Sequence, residues 1–219
     1  MLKRLDSTRI SVYTKNMETM LPKNNNVTTP KDVRAYSHEL LRRTVLEAAG
    51  RLLVQEGPDA LTVRRIAQEL RCSTKIIYTM FHGKDGLANA LYLEGCERLR
   101  MALVNIPISS DFQTYLRRIG WGYWDFALAN RSYYMVMFCG AIPNFTPAPE
   151  SIQATEAIFD QLVGILQQAT ERGELVSDSP YLMAKSLWTS LHGVVSLHFM
   201  GYLDEETARA VLERQVGSQ

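Results

Sequence analysis

The chain has 219 residues, of which 46% are hydrophobic and 21% are charged, and its formal net charge is +1. These values are typical of a globular protein of one or two domains with a sizeable core. No apolar stretch approaches the roughly 18 uncharged residues of a membrane span, and the first residues lack the apolar run of a secretory signal. The three cysteines have no CxxC spacing, which disfavours a disulfide framework or zinc ribbon and favours a cytoplasmic protein.

The small net charge hides an uneven distribution along the chain. Residues 1–30 carry a net charge of +3 and residues 31–84 a net charge of +4, whereas residues 85–219 carry −6. A basic front and an acidic back suggest that only the front meets a polyanion such as nucleic acid. The alternative is a chance fluctuation of a few charges, and composition alone leaves both interpretations open.

The first predicted elements are an arm and a helix. Residues 1–33 are rich in helix breakers and lack helical periodicity, which predicts a flexible basic arm. Order is expected from about Arg34, because apolar residues recur at helical spacing as far as Leu53. This helix should end near Gly57, which occupies the place of a helix C-cap and precedes Pro58.

Residues 61–81 predict two short helices joined by a tight turn. Thr62 stands where an N-cap would begin the first helix, and Ser73 is the second candidate cap. The residues expected to pack the two helices together are Val63, Ile66, Ala67, Leu70, Cys72, Ile77 and Phe81. Leu41, Val45 and Leu52 are expected to seat the pair on the preceding helix.

The remainder of the chain reads as helices without strand-like alternation. Helices are predicted over residues 87–104, 112–130, 131–140, 150–172, 180–200 and 204–216, with a proline-rich loop at 141–149. We therefore expect an all-α protein of about nine helices. Its predicted parts are the arm (1–33), a three-helix helix-turn-helix domain (34–84) and a second helical domain (85–219).

Packing of the apolar residues would leave one polar face on the second short helix. Thr74 and Tyr78 are four residues apart, as are Lys75 and Thr79, so all four share this face. Such side chains suit base edges and phosphates, and the unit has the size of a DNA-reading helix-turn-helix. The alternative is an ordinary helical hairpin with a solvated polar face.

Residues 62–87, TVRRIAQELRCSTKIIYTMFHGKDGL, resemble the DNA-binding domain of the tetracycline-repressor (TetR) family. The family pattern combines Thr-x-x-x-Ile-Ala, a turn, Ser-x-x-x-(aliphatic)-Tyr-x-x-Phe and Lys-x-x-Leu. The matching positions are Thr62, Ile66, Ala67, Ser73, Ile77, Tyr78, Phe81, Lys84 and Leu87. The resemblance covers about residues 38–98.

The resemblance implies DNA contacts by seven residues: Thr62, Tyr78 and Lys84 at phosphates, and Arg64, Thr74, Lys75 and Thr79 in the major groove. Two positions depart from the family pattern. Arg71 replaces the usual Gly of the turn, and a non-glycine residue in a left-handed turn costs roughly 1 kcal/mol. Lys75 stands where Gly or Pro is common, and its added charge near DNA affects which operator the resemblance implies.

The C-terminal half resembles a TetR subtype named for a Trp-His-Gly signature, through Trp188-x-x-x-His192-Gly193 and the aromatic residues of 124–138. The family uses these helices to bind a small-molecule effector and to form a homodimer. The implied pocket residues are Trp124, Met137, Phe138, Trp188 and His192. The alternative is a histidine satisfied within the core, among aromatics that only fill it.

The last two helices are expected to pair with their two-fold mates as a four-helix bundle. Two reading helices about 34–36 Å apart would also fit successive major grooves of a palindromic operator. The candidate interface residues are Leu191, Val194, Val195, Leu197, Phe199, Ala208, Val211 and Leu212. His192 and His198 do not share a helix face, so we expect no metal site, and no cofactor is implied.

Together these features predict a one-component transcriptional regulator, with repression and release by a hydrophobic or aromatic ligand as the expected mechanism. An activator and a ligand-independent DNA-binding protein are the alternatives. A helical enzyme is disfavoured, because the sequence has no nucleophile–base pair, glycine-rich phosphate loop or HExxH motif. Glu94 and Glu97 are better explained as a solvated face paired with Arg98 and Arg100.

Overall fold

A computed structural model describes residues 29–217 of the chain. Within that range it contains nine α-helices, one short 3-10 turn (Pro58–Ala60) and no strand, which confirms the all-α prediction. The helices are α1 (Pro30–Glu56), α2 (Val63–Glu69), α3 (Thr74–Phe81), α4 (Lys84–Val104), α5 (Phe112–Ala129), α6 (Arg131–Phe138), α7 (Pro149–Glu171), α8 (Pro180–Phe199) and α9 (Glu205–Gly217).

Helix α1 begins earlier than predicted, at Pro30 rather than near Arg34. Thr29 and Asp32 form a reciprocal cap: the Asp32 carboxylate accepts from the Thr29 N–H at 2.9 Å, and the Thr29 hydroxyl oxygen accepts from the Asp32 N–H at 3.2 Å. Pro30 occupies the first helical turn, where its missing N–H costs nothing. The predicted arm is therefore wrong for residues 30–33, and its residues 1–28 lie outside the described range.

The chain divides into two compact units between Thr44 and Val45. In the first unit, the described part is the start of α1, where Glu39 forms surface ion pairs with Arg42 and Arg43. The second unit contains everything from Val45 onward, including the helix-turn-helix and all later helices. The sites described below lie within this second unit.

The two short helices α2 and α3 have the predicted caps. The Thr62 side chain accepts from the Arg65 N–H and the Ser73 side chain accepts from the Lys75 N–H, both at 3.1 Å. Arg71 adopts the left-handed conformation, with φ of 51°, so the chain does place a non-glycine residue in this turn. Ile77 is buried as predicted, whereas Cys72 is only partly buried.

The junction between α3 and α4 is tighter than the sequence suggested. Helix α4 begins at Lys84, not at Leu87, and its first turn lies against the last turn of α3. A Cβ added at Gly86 would overlap the carbonyl oxygen of Phe81. The absence of a side chain at Gly86 therefore allows the two helices to meet at this distance.

Helices α4 to α9 form the C-terminal helical domain. Helix α4 packs against α5, α6 and α7, while α9 packs against α5 and α8. Side chains of α5, α7 and α8 build one apolar cluster around Leu116, Leu166 and Leu187. The helix ends differ from the predicted ones by one or two residues, apart from the starts of α1 and α4. Among the described residues, no helix is both long and apolar enough to cross a membrane.

Candidate functional site

The seven residues predicted to meet DNA are all exposed on the helix-turn-helix. Thr62 and Arg64 lie at the start of α2, and Lys84 is the first residue of α4. The other four stand on α3: Thr74, Lys75, Tyr78 and Thr79. Tyr78 is the most prominent aromatic of this surface, with 57% of its area exposed. Ile76, which the periodicity placed among the apolar residues of this helix, is also exposed.

The charges of this surface are arranged to leave cations available. Arg65 is held by two carboxylates, at 2.6 Å from Glu56 and 3.1 Å from Glu69. The Arg65 hydrogen bond lowers the pKa of Glu56, so this carboxylate is ionised at neutral pH. Within residues 29–217, Arg64 and Lys75 form no ion pair, which leaves their charge for an external anion.

Thr62 can serve the fold and a ligand at once. Its hydroxyl oxygen accepts a hydrogen bond from the Arg65 N–H, which stabilises the start of α2. A hydroxyl accepts through oxygen and donates through its own proton. The Thr62 proton therefore remains able to donate to a phosphate oxygen outside the protein.

The C-terminal domain encloses a cavity of about 390 Å³. Its wall is built by α4, α5, α6, α7 and α8, and it is mainly aliphatic and aromatic. Leu99 and Leu103 form the α4 part of this wall, and Tyr123 lies opposite on α5. Cavities that hold small organic ligands measure roughly 300–1,000 Å³ and have such apolar walls. The space therefore has the size and character of a small-molecule site.

Two of the five predicted pocket residues line this cavity, namely Phe138 and Trp188. Trp124 and Met137 lie outside its wall, which corrects the predicted lining. Trp124 is fully buried and its ring contacts the His198 ring at a centroid distance of 5.2 Å. Met137 is buried against α4, where its side chain fills the space beside Gly95. Both side chains fill the core of the domain.

His192 lies behind the cavity wall rather than in it. Its Nδ1 is 2.6 Å from the Tyr134 hydroxyl and its Nε2 is 3.3 Å from the Ser196 hydroxyl. Its ring contacts those of Phe138 and Trp188, which do line the cavity. Burial lowers the pKa of His192, so the ring is neutral at pH 7. The geometry is that of a satisfied core histidine, the alternative that the sequence left open.

Sequence reasoning missed a cation at the cavity. Lys185 lines it, and its ammonium nitrogen lies 3.9 Å from the ring centre of Phe159. The ring centres of Tyr181 and Trp188 are 5.4 and 5.7 Å away. Tyr181, Lys185 and Trp188 follow the i, i+4, i+7 spacing of one helix face, and this spacing was the available signal.

A second missed group links the helix-turn-helix to the C-terminal domain. The Arg98 guanidinium on α4 binds Glu47 of α1, as well as Glu94 one turn away. It also lies 4.3 Å from the ring centre of Tyr133 on α6 and donates to the Asn130 side chain at 3.1 Å. Burial opposes the charge of Arg98, but the interactions with Tyr133 and these carboxylates raise its pKa. Arg98 therefore stays charged where three helices meet.

The predicted dimer residues need correction. Leu191, Val195, Ala208 and Leu212 are buried within the domain itself, so they are not available to a second copy, and the same holds for Val194. Phe199 and Val211 are partly exposed. Leu197 is exposed as the prediction required, and so are two apolar residues that the prediction omitted, Leu182 and Met200.

Metal binding was not expected, and the described residues offer no group of three or more His, Cys, Asp or Glu placed to hold an ion. His198 instead bonds the Leu203 carbonyl oxygen at 3.0 Å. What the second unit presents is a capped helix-turn-helix with an exposed polar face, joined through α4 to a helical domain with a cavity. This is the architecture of a DNA-binding regulator with a sensor domain.

Comparison with known proteins agrees with this architecture. The family model described as "Bacterial regulatory proteins, tetR family" matches residues 45–91, and "Tetracyclin repressor-like, C-terminal domain" matches residues 116–218. The chain belongs to the TetR family of transcriptional regulators, and it is a DNA-binding regulator rather than an enzyme. The Trp-His-Gly subtype stays a prediction.

Relatives and solved structures extend the comparison. The uncharacterized HTH-type transcriptional regulator Rv0681 of Mycobacterium tuberculosis (strain ATCC 25618 / H37Rv) is 27% identical over 190 residues, covering 81% of this chain and 79% of that protein. A Rhodococcus sp. RHA1 protein of unknown function superposes with a TM-score of 0.71 at 24% identity, over 90% of this chain and 96% of that one. The TetR family regulator PfmR of Thermus thermophilus gives 0.65 at 21%, over 78% and 96%. The two structures share the fold.

Proposed function

We propose that the chain is a ligand-responsive repressor that binds a palindromic operator as a homodimer and leaves it when a small molecule fills the cavity. The observation that carries the proposal is the course of α4. Its first residue, Lys84, stands at the predicted DNA surface, and its last turns place Leu99 and Leu103 in the cavity wall. One continuous helix, roughly 30 Å long, therefore joins the two sites.

On DNA, the exposed residues divide into two roles. Thr62, Tyr78 and Lys84 lie at the edges of the helix-turn-helix and contact phosphates, which fixes the position of the protein without reading sequence. Lys75 and its neighbours on α3 enter the major groove and contact base edges. Because one such helix reads only a few base pairs, tight and specific binding needs the second copy.

The homodimer uses the exposed stripe of α8. This stripe has a spacing of three or four residues and comprises Leu182, Ser186, Thr189, Gly193, Leu197 and Met200. Small side chains lie in its middle and larger apolar ones at its ends. A Cβ added at Gly193 meets no other atom within 4 Å, so the backbone there is open to a second helix. This stripe replaces the buried residues of the first prediction.

Release from DNA follows from a difference in ligand affinity between two states. A ligand that fits the cavity better when α4 is displaced shifts the population towards that state. The displaced helix carries Lys84 and the adjoining α3 out of register with the operator. Arg98 transmits the change, because it joins α4 to Glu47 of α1 and to α6.

The proposal is tested by operator selection followed by titration. The full chain is used to select its preferred duplex from random DNA, and binding is measured by fluorescence anisotropy. We expect a palindromic site and loss of binding with at least one member of a panel of hydrophobic and aromatic compounds. A reporter whose promoter overlaps the site should fall when the protein is expressed. A rise would indicate an activator, and a ligand that binds tightly but never alters DNA affinity would contradict the release mechanism.

The dimer has its own test with a matched pair of variants. Gly193→Gln places a side chain on the stripe, whereas Gly164→Gln places one on α7, and a Cβ at either glycine is free of contacts in a single copy. We expect light scattering to show a dimer for the parent chain and for Gly164→Gln, and dissociation for Gly193→Gln. Equal masses for the two variants would exclude this stripe as the interface.

A further inference from the structure

The ammonium group of Lys185 lacks an acceptor. Lys185 is half-buried at the cavity, and its nitrogen lies over the rings of Phe159, Tyr181 and Trp188. Within residues 29–217, no ion pair or hydrogen bond engages this nitrogen. The rings stabilise its charge, but they do not accept its three N–H bonds as a carboxylate would. A partly desolvated cation with unused donors therefore faces the cavity.

The sign of the expected ligand charge follows from this arrangement. A cationic ligand would have to displace Lys185 from the rings or approach its charge directly, and like charges at close range are costly. An anionic headgroup needs neither change and supplies the missing acceptor. Glu156 and Asp160 also line the cavity, but both are more exposed than Lys185 is, so water screens their repulsion more than it screens the half-buried lysine.

The remaining wall defines the body of the ligand. Aliphatic side chains from four helices, including Leu99, Ile119, Ile158 and Leu191, surround the cavity. We propose that the effector is an amphipathic organic anion, with an apolar body among these side chains and a carboxylate or similar headgroup bound to Lys185. This inference rests on the proposed function, in which the cavity holds the effector, and it adds the chemical class.

The test compares three probes with the same apolar chain: decanoate, decanol and decylamine. Direct binding to the full chain is measured by calorimetry without DNA. We expect decanoate to bind more tightly than the other two, because a charge-assisted hydrogen bond is worth roughly tenfold or more in affinity. Lys185→Met keeps the aliphatic stem and should abolish this preference, while Lys185→Arg should keep most of it.

A matched control is provided by Arg209, which lies over the Trp121 ring at 4.7 Å, and neither residue lines the cavity. Arg209→Met should leave decanoate affinity unchanged. The inference is overturned if decanol or decylamine binds as well as decanoate, if none of the three binds, or if Lys185→Met retains the preference. Operator release is measured separately: decanoate binding without release would contradict the proposed function alone, and release by an uncharged compound without decanoate binding would contradict this inference alone.

Discussion

The substitution Gly86→Ala tests whether the α3–α4 junction positions the recognition helix. The added Cβ would overlap the Phe81 carbonyl oxygen, which belongs to the backbone at the end of α3. A backbone atom cannot rotate away as a side-chain tip can, so the two helices must separate. Overpacking of this kind costs roughly 1–3 kcal/mol, while replacing glycine in a helix contributes about 0.5–1 kcal/mol in the opposite direction.

Gly164→Ala separates these two contributions. Gly164 also lies within a helix, but a Cβ there meets nothing within 4 Å, so only the favourable contribution remains. The free energies of unfolding of the two variants should therefore differ by about 1–3 kcal/mol, the packing cost alone. For a chain of this size that corresponds to roughly 2–12 °C in Tm. Both variants are compared at one protein concentration, because dimer formation contributes to apparent stability.

Operator binding gives the second measurement for this pair. A displaced α3 carries Lys75 and Tyr78 away from their contacts, so Gly86→Ala should weaken operator binding measured by anisotropy at a temperature where it is fully folded. Gly164→Ala should bind like the parent chain. Equal stability and equal DNA affinity for the two alanine variants would refute the argument that Gly86 is required by close approach.

Three further predictions concern the interface, the link and the core. Tyr78→Phe should weaken binding to the selected operator and to random duplex by the same factor, whereas Lys75→Ala should alter the base preference in a repeated selection. Arg98→Met should lower the free energy of unfolding by about 1–3 kcal/mol in urea, and an unchanged value would show that the ion pairs contribute nothing net. Leu212→Ala should cost about 2–5 kcal/mol equally at low and high protein concentration, because Leu212 is buried within one copy; a loss confined to low concentration would restore it to the dimer interface.

The helix-turn-helix could be predicted because its signals are local. Thr62 and Ser73 are caps whose partners lie within three residues, and the buried side chain of Ile77 follows from helical periodicity. The start of α1 had an equally local signal that went unused. Thr29, Pro30 and Asp32 form the N-cap, first-turn proline and reciprocal carboxylate of a capping box, and Asp plays here the part usually taken by Glu or Gln.

The dimer residues could not be assigned from periodicity, because two different surfaces require the same residue types. An apolar stripe on α8 or α9 fits the core of its own domain as well as a partner helix. Leu191 and Leu212 are buried within the domain, whereas Leu182 and Met200 are exposed. The choice depends on how α5, α8 and α9 rotate against one another, and contacts such as that between Gly120 and Val216 set this rotation.

The polar groups of the C-terminal domain depend on even longer separations in sequence. Glu47, Arg98 and Tyr133 lie on three different helices, and each alone reads as an ordinary helical residue. His192 drew attention because it is a histidine beside a tryptophan, yet its bonds to Tyr134 and Ser196 satisfy it. Lys185 has the less distinctive residue type, but its unused donors make it the better candidate for contact with a ligand.

The geometry of α4 determines what a ligand must do to release DNA. Gly86 lets the first turn sit directly on α3, and Arg98 holds the middle of the helix to α1 and α6. If α4 turns about Arg98, a tilt of about 5° moves Lys84 by roughly 2 Å, since the two residues are about 21 Å apart along the axis. Hydrogen bonds to bases and phosphates tolerate only a few tenths of an ångström, so this tilt suffices to break them. A compound that fills the cavity without tilting α4 binds equally well in both states and releases nothing, however high its affinity. Effectors should therefore rank by the difference in their affinity for the two positions of α4, and not by affinity for the free protein.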